Sequence, residues 1–410
     1  MSPIVPEVDP GDVGLDTRRL ALVDAHFDRY VEDRRIPGFL LVVTRAGKVA
    51  YVARRGLRDI ENDTALEADT RFRIYSMTKP ITSVAAMICY EQGLIALDDP
   101  LDKFLPEFAE TRVFAGGSSF RPVTVPSADP IKIWHLMTHT AGFTYGWMYN
   151  HPVDAMYRSA GFEWGTPGDT DLAGCCERWA RLPLRCQPGT EWNYSVATDI
   201  LGRVVEVVSG QPLDQFFAEH VFGPLGMTET SFSVDGEGAE KLAALYTPDL
   251  VTGTATRADR MGDAVLRPPK AFSGGGGLVS TAADYHQFTQ MLLGRGELDG
   301  VRILGSRTVS YMTRNHLPGG ADIAQFGNPI GGQPDPGVGF GLGFAVVVDP
   351  VAHKVTSSDG EYGWGGAAST AFWVDPAEEM TVLFFTQLLP STTYPIRREL
   401  RQLVYSAIVN

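Results

Sequence analysis

Hydrophobic positions along this chain predict helices and strands in an uneven order. Across residues 15–35, Leu20, Leu22, Val23, Phe27, Tyr30 and Val31 recur at helical spacing, with Asp16 placed to cap the start and Pro37-Gly38 to stop the run. Residues 39–44 and 49–53 are apolar and β-branched, and the Arg-Ala-Gly-Lys between them predicts a hairpin. Runs over 339–348, 367–374 and 380–386 also read as strands, and 397–409 closes the chain as an amphipathic helix. Between Arg73 and Glu91 the only charged residue is Lys79, which predicts a fully buried helix. Pro80 belongs in its first turn and Gly93 is its stop, so the helix begins close to Ser76.

Strands at both ends without strand–helix alternation predict one antiparallel sheet assembled from distant pieces, with terminal helices packed on it. The middle reads as helices joined by long loops. His135–His139 lies near the end of one helix, 199–209 in a second and 213–220 in a third. A capping signature at Thr281–Asp284 opens a fourth. The expected fold class is therefore α/β plus all-α. Residues 1–75 together with 291–410 form the sheet domain, 76–290 form an inserted helical domain, and the cleft between them is the expected site. Two long irregular segments, about 111–130 and 317–338, are expected to form its rim together with 145–187.

With 410 residues, 44% hydrophobic and 20% charged, the chain is long enough for two or three domains and a large core. Its net charge of −14, with no basic run, argues against nucleic acid or an anionic membrane surface as partner. The four cysteines (Cys89, Cys175, Cys176, Cys186) lack metal-type spacing. No basic-then-apolar leader opens the chain and no apolar run reaches spanning length, so a cytoplasmic protein is expected.

Three stretches carry candidate chemistry. Ser76 and Lys79 stand at i and i+3, with Cβ atoms about 5–6 Å apart on a helix face. Burial and the positive helix N-terminus both disfavour the ammonium, the condition for a base beside a serine hydroxyl. The plainer alternative is that Lys79 snorkels to solvent and Ser76 merely caps the helix. In Pro188-Gly-Thr-Glu-Trp-Asn-Tyr-Ser-Val196, Tyr194 stands at a loop-to-helix junction from which a phenol can join that pair, or simply pack half-buried. In Glu361-Tyr-Gly-Trp-Gly-Gly-Ala-Ala368, glycines beside a strand let a substrate approach the backbone, where an N–H paired with that of Ser76 makes an oxyanion hole; a plain turn is the alternative.

In this order the three pieces resemble the serine β-lactamase and penicillin-binding-protein superfamily: S-x-x-K, a Tyr motif, then the position of K-T-G. Supporting stretches agree: Ile133-Trp-His-Leu-Met-Thr-His-Thr-Ala-Gly142, Tyr194 through Gly210 to Pro224-Leu-Gly-Met227, and Gly276-Gly-Leu-Val-Ser-Thr281 followed by Asp284. They run in family order from about residue 36 to 388. Tyr194-Ser-Val196 replaces the Y-x-N of class C β-lactamases, and Trp364-Gly365-Gly366 replaces K-T-G. Both departures resemble the family VIII carboxylesterases.

That resemblance implies a β-lactamase-like fold and a serine esterase for uncharged short- to medium-chain esters. Ser76 is the implied nucleophile, Lys79 and Tyr194 share the base role, and the Ser76 and Ala367 N–H groups hold the oxyanion. Trp364, Gly365 and Gly366 line the substrate, with no metal or cofactor. β-Lactam or D-amino-acid peptide hydrolysis and acyl transfer to an alcohol are the alternatives on the same site. Tyr145 is expected to line the cleft.

Rival constellations are weaker. G-x-S-x-G is absent, and His135 and His139 lack a third ligand, so they read as structural. Gly274–Gly277 is not followed by G-K-[ST] and reads as close packing. Asp199, one helical turn beyond Tyr194, either tunes the site or simply bonds to backbone, and the structural role is the expectation.

Overall fold

A computed structural model describes residues 3–328 and 335–409. Helix α1 (Thr17–Glu32) opens the fold, and the Asp16 carboxylate accepts hydrogen bonds from the N–H groups of Arg18 and Arg19. The helix stops before Pro37-Gly38, because Arg34 takes a left-handed φ of 54°. Strands β1 (Gly38–Arg45) and β2 (Lys48–Asp59) form the expected hairpin, and β3 (Thr64–Ala65) extends it. The chain then leaves the sheet for helix α2 (Thr78–Glu91), whose residues Thr78 to Cys89 are all buried, and for α3 (Ala197–Ser209), packed against it. Helix α4 (Ala282–Leu293) begins at Thr281, whose hydroxyl caps the Asp284 N–H.

The chain then returns to the sheet through β4 (Val338–Phe340), β5 (Ala345–Val347), β6 (Tyr362–Gly365), β7 (Ala371–Asp375) and β8 (Met380–Phe385), and ends in α5 (Ile396–Ser406). The eight strands lie in the order β4-β5-β6-β7-β8-β1-β2-β3, each neighbour antiparallel. Thus β1, from the start of the chain, pairs with β8 from its end, Val42 opposite Leu383.

Strand alternation divides the core. Leu40 and Val42 of β1, with Leu383 and Phe385 of β8, face α2. Phe39, Leu41 and Val43, with Val382 and Phe384, face α1 and α5 on the other side. A strand buried on both faces reads as a continuous apolar run, which is why 39–44 is so plain in the sequence.

Three expectations need correction. The run 339–348 is two strands, because Gly343 at φ 98° turns the chain and the Gly341 N–H bonds back to the Phe344 carbonyl. The strand expected over 367–374 starts at Ala371; Gly366–Thr370 is a tight turn closed by the Gly366 N–H on the Thr370 carbonyl. Residues 111–130 are not irregular: Arg112–Ser118 and Arg121–Pro126 pair as a hairpin. Of the expected rim at 317–338, residues 329–334 lie outside the described residues.

Helix α4 packs on β7 and β8, and the expected 290/291 boundary falls inside it. Its Tyr285 ring lies 5.2 Å from that of Phe372, and its hydroxyl donates to the Met77 carbonyl at 2.9 Å, beside the start of α2. Among the described residues no helix is long and apolar enough to cross a membrane. Replacing Tyr285 by Phe removes this one buried bond, and a urea melt is expected to show about 1 kcal/mol less stability; an unchanged unfolding free energy would show that the bond contributes nothing.

Candidate active site

Ser76 sits on a single 3-10 turn, Tyr75–Met77, immediately before α2. The Ile74 N–H, donating to the Leu278 carbonyl, and Tyr285, on Met77, pin the turn from two sides. Tyr75 has a φ of 43°, a conformation that costs a non-glycine residue about 1–2 kcal/mol. It packs against the buried cluster of Leu245, Ala368 and Leu389, as Ala367 does.

Lys79 does not snorkel. It is 2% exposed, and its Nζ donates to the Gly275 carbonyl at 2.7 Å, the Tyr145 hydroxyl at 3.0 Å and Ser76 Oγ at 3.3 Å. An ammonium has three donors, and these three acceptors use them all. The glycine run is close packing, as expected: a side chain at Gly274 would meet the Thr198 carbonyl and Thr82. It also supplies an acceptor that its sequence did not announce.

Tyr194 follows the short strand Trp192–Asn193 and precedes α3. It meets Lys79 with its face: Nζ lies 4.5 Å from the ring centroid. Its hydroxyl is buried and has no hydrogen-bond partner among the described residues. The phenol on the lysine is instead that of Tyr145, which was expected only to line the cleft. Burial, with Asp199 and Tyr194 adding to it, pushes the Tyr145 phenol well above its usual range, so it stays neutral. No motif spacing marks Tyr145; its position three residues past Gly142 is the one available hint.

Aromatic rings wall this group. Tyr194 lies 4.8 Å from His139, 5.4 Å from Tyr145 and 5.5 Å from Trp364, and Trp147 stacks on Tyr145 at 5.1 Å. His139 is buried beneath Tyr194, and desolvation, reinforced by Lys79, pushes its imidazole well below the usual range. The His135 ring accepts from the Lys132 N–H, and burial lowers it to about 4. Among the described residues no group of three or more His, Cys, Asp or Glu side chains is placed to hold a metal ion.

The turn Gly366–Thr370 carries Ala367 and abuts the Ser76 turn. A side chain on Gly366 would run into the Ile74 carbonyl and the Thr370 hydroxyl, so only glycine fits there. Arg397 of α5 braces this turn from behind: its Nη2 donates to the Gly366 carbonyl at 2.7 Å and the Thr370 carbonyl at 3.0 Å. The guanidinium occupies the space a side chain at Gly365 would need. Burial, with Arg401 nearby, holds Arg397 down to about 10, while Tyr194 favours its charged form. Nothing in the sequence pointed to Arg397, because its partners are backbone carbonyls.

The Beta-lactamase family model matches residues 23–406. The chain belongs to that family. It is 36% identical to Protein Rv1367c of Mycobacterium tuberculosis over 87% of this chain and 86% of that one. It is 32% identical to Esterase EstB of Burkholderia gladioli over 97% of this chain and 98% of that one. The structure of EstCE1, described as a hydrolase with promiscuous acyltransferase activity, matches at a TM-score of 0.80 with 28% identity, covering 96% of this chain and 99% of that one. The β-lactamase-like fold, with its antiparallel sheet and flanking helices, is thereby shown.

Since Arg397 satisfies two carbonyls at once, Arg397→Met is expected to lower the unfolding free energy by about 1–3 kcal/mol. Equal stability of variant and wild type in a denaturant titration would mean that the turn holds itself.

Proposed function

We propose that this chain is a serine hydrolase that cleaves uncharged short- to medium-chain carboxylic esters through an acyl-enzyme on Ser76. The observation that carries the reading is the buried Lys79 amine, 3.3 Å from Ser76 Oγ and 3.0 Å from a neutral phenol. With Lys79 in its neutral form, Ser76 Oγ attacks the ester carbonyl carbon and its proton passes to the amine, the group within reach of it. The oxyanion rests on the backbone N–H groups of Ser76 and Ala367. Collapse of the tetrahedral intermediate breaks the ester C–O bond, and the alcohol takes a proton from Tyr194, whose hydroxyl has no hydrogen-bond partner among the described residues. Water then adds to the acyl-enzyme, the proton transfers reverse, and the acid departs. Tyr145 acts here by holding Lys79, and its fixed neutral phenol keeps the amine aimed at the serine. The cleft between the sheet and the helical region is the proposed substrate channel.

Esterase EstB supports this reading by its likeness over nearly the whole chain. Trp364 supports it chemically: an indole stands where a K-T-G lysine would pair with the carboxylate of a β-lactam or peptide. A second reading, acyl transfer to an alcohol on the same acyl-enzyme, is favoured by the likeness to EstCE1.

Ser76→Ala is expected to abolish turnover of p-nitrophenyl butyrate, and retention of full activity would overturn the assignment. Tyr194→Phe is expected to lower kcat by about 10²–10⁴-fold, while an undiminished rate would remove that phenol from the proton path. Wild type is expected to turn over p-nitrophenyl esters far faster than a chromogenic cephalosporin. A reversed preference would make β-lactam hydrolysis the main activity. With a competing alcohol present, a dominant ester product would establish transfer over hydrolysis.

A further inference from the structure

We propose that Asp199 is a positioning residue for Lys79: its carboxylate fixes Gly275, whose carbonyl holds the ammonium, and its negative charge sets the pH at which the amine gives up its proton. The inference rests on the reading of Lys79 as the base.

Asp199 lies in the first turn of α3 and is buried. Its Oδ1 accepts from the Ser273 hydroxyl at 2.5 Å and from the Gly275 N–H at 3.0 Å. The carboxylate fills the space that a side chain at Gly275 would need, so glycine is required at this position. One residue is thus gripped at both ends, its N–H by Asp199 and its carbonyl by Lys79. No lysine or arginine forms an ion pair with Asp199 among the described residues, and Lys79 is the cation that bears on it.

The other titratable groups around the pair do not compete as anions or cations. Desolvation raises the Asp199 carboxyl, whereas Lys79, Ser273 and the Gly275 N–H hold it charged. Tyr145 and Cys176 are pushed well above their usual ranges by burial, Cys175 to about 12, and His139 well below, so all four are neutral near pH 7. Tyr194 meets Lys79 through its ring face, and the Ser76 hydroxyl accepts from the amine. Both groups are buried and Lys79 is the cation that acts on the carboxylate, so the negative charge of Asp199 favours the ammonium.

The sign fixes the test. Removing the charge lets Lys79 lose its proton at lower pH, so in Asp199→Asn the acid limb of the pH profile of kcat/KM for p-nitrophenyl butyrate is expected to move down by about one pH unit or more. Asp199→Glu keeps the charge and is expected to leave the limb near its wild-type position even if the rate falls. A merely structural residue would lower the rate at every pH and leave the limb in place, which would overturn the proposal. Coupling is reciprocal. In protein labelled with 13C at aspartate carboxyls, Lys79→Met is therefore expected to raise the titration of Asp199 by a similar amount. That NMR titration needs no esterase activity and decides the matter if Asp199→Asn does not fold: an unmoved Asp199 titration overturns the coupling, whereas loss of ester turnover alone bears only on the proposed function.

Discussion

Everything in this molecule's centre depends on one amine kept out of water. From Thr78 to Cys89 helix α2 has no solvated face, so the Lys79 side chain has nowhere to send its charge. An isolated buried ammonium is costly, and the N-terminal turn of a helix is an unfavourable place for positive charge. The structure meets that cost with acceptors drawn from three separate stretches: the serine turn, the loop after Gly142 and the glycine run. Each stretch must be held in register for the others to work. That explains why α4 reaches across from the sheet to bond Met77, and why side chains are excluded at Gly274 and Gly275.

What was legible in the sequence follows from how far each contact reaches along the chain. β1 and α2 were plain because burial on every side leaves an unbroken apolar run. Asp16 and Thr281 were plain because a cap is read within three residues. The turn at Gly341–Phe344 was hidden because its flanks are as apolar as a strand, and only the left-handed φ at Gly343 breaks it. The hairpin at 112–126 was hidden by Pro122, Pro126 and two glycines, which edge strands tolerate.

The site divided in the same way. Ser76 and Lys79 are neighbours on one helical turn, so spacing alone brought them together. Tyr194 was found by its motif, yet spacing carries no information on whether its ring face or its hydroxyl meets the amine. Tyr145 and Arg397 act through a lysine and through backbone carbonyls contributed by remote stretches. Such contacts leave no periodicity, and only coordinates reveal them.

The replacement of K-T-G by Trp364-Gly365-Gly366 is best understood through strand alternation. Trp364 points toward Tyr194 and Phe340, on the side of the reactive group. Gly365 faces the other way, and there the Arg397 guanidinium lies against the backbone. A lysine at 364 would carry its charge on the Tyr194 side of the strand; in this chain the Arg397 guanidinium lies behind the strand, tied to two carbonyls. Arg397 braces the Ala367 turn from behind, and the Trp364 indole puts an apolar wall where a lysine would attract a carboxylate. In the proposed reaction, that exchange selects a neutral acyl group without altering the serine, the amine or the turn that meets the oxyanion.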